Sequence, residues 1–146
     1  MIYVVYNTHT MKLLLEPENK KLQTFCDIIG NFKYLCEFIT FNFSEEGIYS
    51  QGLSMDHCSV FEMTIKADWF ADFEWDSEKD AVEISISTEI LSKILATRQP
   101  SQYMVIEYYG KPDSITIRFT STATKSVKTE FPKEFSIPLI DVDWEK

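Results

Sequence analysis

Two short segments with helical periodicity stand in an otherwise strand-like chain. Each is entered from a strand and followed by further strands. In residues 18–31, Leu22, Phe25, Cys26 and Ile29 fall at i, i+3, i+4 and i+7 and make one apolar stripe. Pro17 stands at the start, where its missing N–H is tolerated, and Glu18 puts an acid in the first turn, favourable to the helix dipole. In residues 88–98 the apolar side is Ile90, Leu91, Ile94 and Leu95. Ser87 or Thr88 can cap this helix, Glu89 lies in its first turn, and Pro100 stops it. Each helix has one face to bury and needs another layer to bury it against.

The remaining segments read as strands. Residues 12–16 are a short one. Residues 38–43 alternate, with Phe41 and Phe43 on one side, and the turn Glu45-Glu46-Gly47 leads into residues 48–53. Residues 60–66 and 82–87 alternate as well. Residues 103–109 and 114–119 flank Gly110-Lys111-Pro112-Asp113, a strong turn signal, and residues 127–131 and 135–140 close the chain. The order strand, helix, three strands therefore occurs twice, with a period of roughly 65–70 residues. The fold class is α+β: two βαβββ halves, with two helices side by side on one face of antiparallel sheets.

Length and composition narrow the function. The chain has 146 residues, about one domain, and is 45% hydrophobic, which is enough for a core and excludes a disordered chain. No run approaches the roughly 20 apolar residues that span a bilayer, and residues 2–6 are too short for a signal-peptide core. No membrane partner is expected. Cys26, Cys36 and Cys58, without an export signal, read as reduced intracellular thiols. The formal charge of −9, taken alone, argues against a phosphate partner. The acidity is local, however. Residues 44–90 hold twelve acids and two bases, Lys66 and Lys79, whereas the rest of the chain is close to neutral.

Catalytic motifs are missing. There is no glycine-rich dinucleotide loop, P-loop, HExxH or CxxC. His57 follows Asp56, but neighbours on a strand point to opposite faces, and Cys58 gains no nucleophilic role from an adjacent histidine. No enzyme, no metal centre and no cofactor are expected. The outward helix faces carry Lys20, Thr24, Asp27 and Asn31, with Lys21 on the rim, and then Glu89, Ser92, Lys93 and Ala96, with Arg98 at the end. Spacing alone leaves two readings open: an ordinary solvated helix face, or a loose contact with a phosphate backbone.

A resemblance favours the second reading. Residues 47–56, Gly-Ile-Tyr-Ser-Gln-Gly-Leu-Ser-Met-Asp, resemble a segment of the proliferating cell nuclear antigen family of DNA sliding clamps. There a glycine opens an alternating strand that ends in Ser/Ala-Met-Asp. Phe61-Glu62-Met63-Thr64-Ile65 and Trp69-Phe70 are similar to the strand and aromatic that follow. Ser92-Lys93-Ile94-Leu95 matches a recurrent clamp helix segment. Residues 135–143 resemble the strand and Leu-x-Asp-x-Asp stretch that closes the first clamp domain.

The resemblance implies the DNA-clamp fold, with helices inside, sheets outside, and a ring of six such domains around duplex DNA. It implies a non-enzymatic processivity factor acting at the site of DNA replication, in the nucleus or elsewhere in the cell. Its implied partners are double-stranded DNA, a DNA polymerase and other proteins with clamp-binding motifs, and a clamp loader. Lys20, Lys21 and Lys93 match lysines that face DNA, and Lys12, Lys33 and Arg98 add to them. Met55 matches the methionine of the family's partner pocket, which receives a motif with a Gln, an aliphatic residue and paired aromatics; His57, Cys58 and Val60 supply its wall. Residues 1–11 read as an N-terminal extension, and 12–146 as one first-domain-like unit that ends where an interdomain connector begins. Two other readings remain: a clamp-fold accessory subunit working as a monomer or heteromer, and an acidic protein-interaction domain without DNA contact.

Overall fold

The first strand of each half pairs with the strands of the other half, and this exchange sets the architecture. The computed structural model describes residues 10–18, 20–54, 59–109, 114–120 and 133–138. In chain order the elements are β1 (Met11–Leu15), α1 (Lys21–Asn31), β2 (Phe38–Ser44), β3 (Gly47–Leu53), β4 (Val60–Lys66), β5 (Asp72–Trp75), β6 (Val82–Ser87), α2 (Thr88–Leu95), β7 (Tyr103–Tyr108), β8 (Ser114–Thr120) and β9 (Lys133–Pro138). Two single turns of 3-10 helix, Phe32–Tyr34 and Ala67–Trp69, follow α1 and β4. One sheet runs β5-β1-β7-β8-β9 and the other β4-β3-β2-β6. All pairings are antiparallel. The βαβββ pattern thus appears twice, and the short β5 between the halves joins the first sheet beside β1. The turn at 110–113 and the strand at 127–131 lie outside the described residues.

Alternation decides which face of each strand is buried. In β1 the side chains of Met11, Leu13 and Leu15 are buried while Lys12 and Leu14 are half-buried. In β2 the buried set is Ile39, Phe41 and Phe43. These residues join Leu22, Phe25 and Ile29 of α1 and Leu91 and Leu95 of α2 in one hydrophobic core. Both helices therefore pack on the inward faces of both sheets. The hairpin between β2 and β3 turns on Glu45-Glu46, with Ser44 paired to Gly47. Gly47 adopts φ 132°, a conformation that side-chain-bearing residues rarely take, and a Cβ there would collide with the Ile65 carbonyl oxygen.

Helix boundaries differ from the sequence expectation at both helices. α1 starts at Lys21 rather than near residue 18. Glu18 is held before the helix because Tyr103, at the start of β7, donates its hydroxyl to the Glu18 carboxylate at 2.7 Å. α2 ends at Leu95. Ala96 N still donates to Ser92 O, but Thr97 N and Arg98 N turn to Ile94 O and Leu95 O, the tighter pattern of a closing turn.

Candidate nucleic-acid face and partner face

α1 and α2 lie side by side, and the surface they turn away from the core is polar. A shallow groove of about 240 Å³ between them is lined by Gln23, Asp27, Asn31, Lys33, Ser92 and Ala96, among others. A chain of hydrogen bonds spans the pair. Arg98 Nη2 donates to Gln23 Oε1 at 2.8 Å, and Gln23 Nε2 donates to Asp27 Oδ1 at 2.8 Å. Cys26 sits half-buried beneath this bridge. Burial pushes its thiol up, partly offset by the Arg98 guanidinium.

The cations singled out in the sequence are used in different ways. Lys20 is exposed at the mouth of α1. Lys21 turns to the side: its Nζ donates to Trp69 O at 2.9 Å and stands 5.3 Å from the centre of the Trp69 ring. Lys93 is exposed and pairs with Glu89 at 3.1 Å, an i,i+4 contact. Lys33 follows α1, with its ammonium 5.0 Å from the Tyr34 ring. Arg98 Nη1 donates to the carbonyls of Gln99, Pro100 and Gln102 and so fixes the turn after α2. Lys12 lies on the opposite side of the molecule. Its neighbours in register are Glu74 on β5 and Glu107 on β7, and alternation places all three on the sheet face turned away from the helices. On that same face Arg118 and the buried Glu107 form an ion pair, and Tyr109 donates its hydroxyl to Glu107.

The outward face of the other sheet is ordered in rows. Ser85, Thr40, Gln51 and Glu62 form one row, and Glu83, Asn42, Tyr49 and Thr64 the next. Thr40 and Ser85 share a hydroxyl contact at 2.8 Å. The Tyr49 hydroxyl lies within hydrogen-bond reach of Glu62 Oε2 at 3.1 Å and Gln51 Oε1 at 3.2 Å. Burial and the Glu62 carboxylate both raise the Tyr49 pKa. At the end of this face the β3–β4 connection is closed by Ser54 N to Ser59 O at 2.8 Å and Ser59 N to Ser54 Oγ at 3.0 Å. Val60, just beyond, is 70% exposed. Met55, His57 and Cys58, the other residues of the expected partner pocket, lie outside the described residues.

A third feature had no counterpart in the sequence reading. Beside β4, the last strand of its sheet, runs a groove of about 690 Å³. Its apolar walls include Phe25, Ile28, Met63, Ile65 and Trp69, and Lys21 and Asp68 stand at its rim. Ile28 is 47% exposed although it belongs to a core-facing helix. Among the described residues no group of three or more His, Cys, Asp and Glu side chains is placed to hold a metal ion. Among the described residues no helix is long and apolar enough to cross a membrane.

Two βαβββ halves and paired helices on the inner faces of two antiparallel sheets define a sliding-clamp domain. The chain belongs to the family of the proliferating cell nuclear antigen, N-terminal domain, whose model matches residues 14–146. It is 21% identical over 132 residues to a proliferating cell nuclear antigen of Chaetomium thermophilum, covering 90% of this chain and 48% of that protein. It is 25% identical over 118 residues to a DNA polymerase sliding clamp of Methanococcus maripaludis, covering 81% of this chain and 42% of that one. A DNA polymerase sliding clamp of Methanococcus vannielii matches at 25% over 118 residues, covering 81% and 43%. The chain spans less than half the length of these relatives.

Proposed function

We propose that this chain, over residues 12–146, is one domain of a ring-shaped DNA sliding clamp. In this reading it is a non-enzymatic tether that encircles duplex DNA where DNA is replicated, takes a DNA polymerase and other proteins onto its outer face, and is placed on DNA by a clamp loader. The observation that carries the reading is the polar, weakly cationic surface of the α1–α2 pair, set on the far side of the core from a polar sheet face that carries Glu62 and Glu83. Lys20 and Lys93 are the exposed cations of that surface among the residues matched to the family. Lys33 and Arg98 extend it. So few phosphate contacts give a weak, strongly salt-dependent hold, which suits sliding better than a fixed grip. Acidic residues outside and a mildly basic lining inside keep DNA in the hole and off the rim.

Two of the four sheet-end strands, β4 and β9, support ring formation; β5 and β6 are the other two. β4 ends one sheet and β9 ends the other among the described residues. A strand at an edge offers unpaired N–H and C=O groups to a second chain or domain. The apolar groove beside β4 gives such a neighbour side-chain contacts as well as backbone pairing.

Reversing both exposed helix charges, Lys20→Glu with Lys93→Glu, tests the DNA face. Polymerase processivity in the loaded system falls at least about tenfold, since a repelled backbone replaces two phosphate contacts. The thermal unfolding midpoint stays within a few degrees. Unchanged processivity removes the α1–α2 surface from the DNA face.

A further inference from the structure

Each helix of the α1–α2 pair carries an exposed acid, and only one of the two has a local reason to be there. Glu89 stands in the first turn of α2, where the helix dipole favours a negative charge, and it pairs with Lys93 one turn on at 3.1 Å. Asp27 stands in the second half of α1, where the dipole offers an acid nothing, and aspartate is among the weaker helix formers. Gln23 Nε2 donates to Asp27 Oδ1 at 2.8 Å, an i,i+4 bond. That bond asks only for an acceptor oxygen, which an asparagine supplies without the charge. Helix stability and hydrogen bonding therefore leave the negative charge of Asp27 unexplained.

Its surroundings give the charge a use. Arg98 Nη2 donates to the other end of the same amide, Gln23 Oε1, at 2.8 Å, so Gln23 lies between a guanidinium and a carboxylate with its dipole aligned to both. Asp27 does not place Arg98. The carbonyls of Gln99, Pro100 and Gln102, all bonded to Arg98 Nη1, do that. What Asp27 changes is the field. Of the cations on this surface, Lys93 is taken up by Glu89, and Arg98 faces Asp27 across one amide. Asp27 also lines the groove between the helices with Asn31, Lys33 and Ser92, so its charge sits between the two helices.

We infer that Asp27 sets how weakly the α1–α2 surface holds duplex DNA. Its carboxylate offsets the Arg98 guanidinium across the Gln23 amide and repels the phosphate backbone, so a duplex meets fewer effective cations than the sequence supplies. This rests on the α1–α2 surface facing DNA.

The test is titration of the isotope-labelled full chain with a short blunt-ended duplex in low salt, followed through the amide NMR shifts of α1 and α2, which report even weak binding. Asp27→Asn tightens binding by about threefold, and the gain shrinks as salt rises. Asp27→Glu, which keeps the charge, binds within about twofold of wild type. Asp27→Lys tightens binding by about tenfold and steepens the fall of log K with log salt by about 0.9, the signature of one added phosphate contact on duplex DNA. Asp27 is exposed, so each variant keeps the fold, and thermal unfolding checks this. Equal tightening by Asp27→Asn and Asp27→Glu assigns the effect to shape and overturns the role of charge. If Asp27→Asn and Asp27→Lys bind like wild type while Lys20→Glu with Lys93→Glu weakens binding, the role given to Asp27 falls and the DNA face stands. If the lysine reversals leave binding unchanged, or the duplex shifts no amide of α1 and α2, the DNA-face reading falls and the role of Asp27 with it.

Discussion

α1 and α2 hold the same place in the two halves of the repeat, yet they are held there by different means. α2 is locally complete. Ser87 caps it by accepting a hydrogen bond from Ile90 N at 3.3 Å, Glu89 lies in its first turn and Lys93 in its last. α1 has no side-chain cap, no acid in its first turn and no base in its last. It is fixed from outside. The Tyr103–Glu18 bond holds the approach, Lys21 is tied to Trp69, and Phe25 meets Phe70 edge-on at 6.3 Å. The difference has a functional side. Anchoring α1 uses Lys21, a cation that the sequence pattern offers to DNA, whereas α2 leaves Lys93 at the surface.

The largest break in this comparison comes from the core contact of α1. Phe25→Ala is expected to cost about 3–5 kcal/mol in urea unfolding, because Phe25 is buried at 5% exposure and leaves a cavity. A loss below about 1 kcal/mol means that α1 is not held by its packing. Ser87→Ala comes next, at about 1 kcal/mol, with hydrogen exchange accelerated in α2 and unchanged in α1. Equal acceleration in both helices removes the local character assigned to α2. The smallest effects sharpen the contrast between the lysines. Lys21→Ala lowers stability by about 0.5–1 kcal/mol and leaves DNA retention nearly unchanged. Lys93→Ala changes stability by less than about 0.5 kcal/mol and weakens DNA retention. The opposite assignment of effects returns Lys21 to the DNA face.

Much of this was legible in local chemistry. The cap at Ser87, the stripe of α1, the Glu45-Glu46-Gly47 turn and the alternation of β2, β4 and β6 each depend on neighbours within a few residues. What escaped depends on distant ones. The start of α1 is set by Tyr103, 85 residues from Glu18, and Lys21 is captured by Trp69, 48 residues away. The sequence places Arg98 among the surface cations, but its geometry follows from carbonyls of a turn that only the folded chain assembles. β5 is four residues long and carries Asp72 and Glu74 at its outward positions, so it merged into the acidic stretch around it. The position of Lys12 did have a local signal. Met11, Leu13 and Leu15 face the core in β1, and strict alternation then turns Lys12 away from the helices. The groove beside β4 had none, since its walls come from α1, β4 and the Trp69 turn together.

In the proposed clamp the hold on DNA is topological: the ring surrounds the duplex rather than gripping it. Retention of the assembled, loaded clamp on closed circular duplex, measured by gel filtration in high salt before and after a single cut linearises the circle, tests this most directly. Co-elution with the circle is expected in salt that dissolves weak phosphate contacts, with release once the circle is cut. Equal retention on circle and linear DNA, or loss from the circle as soon as salt is raised, contradicts it.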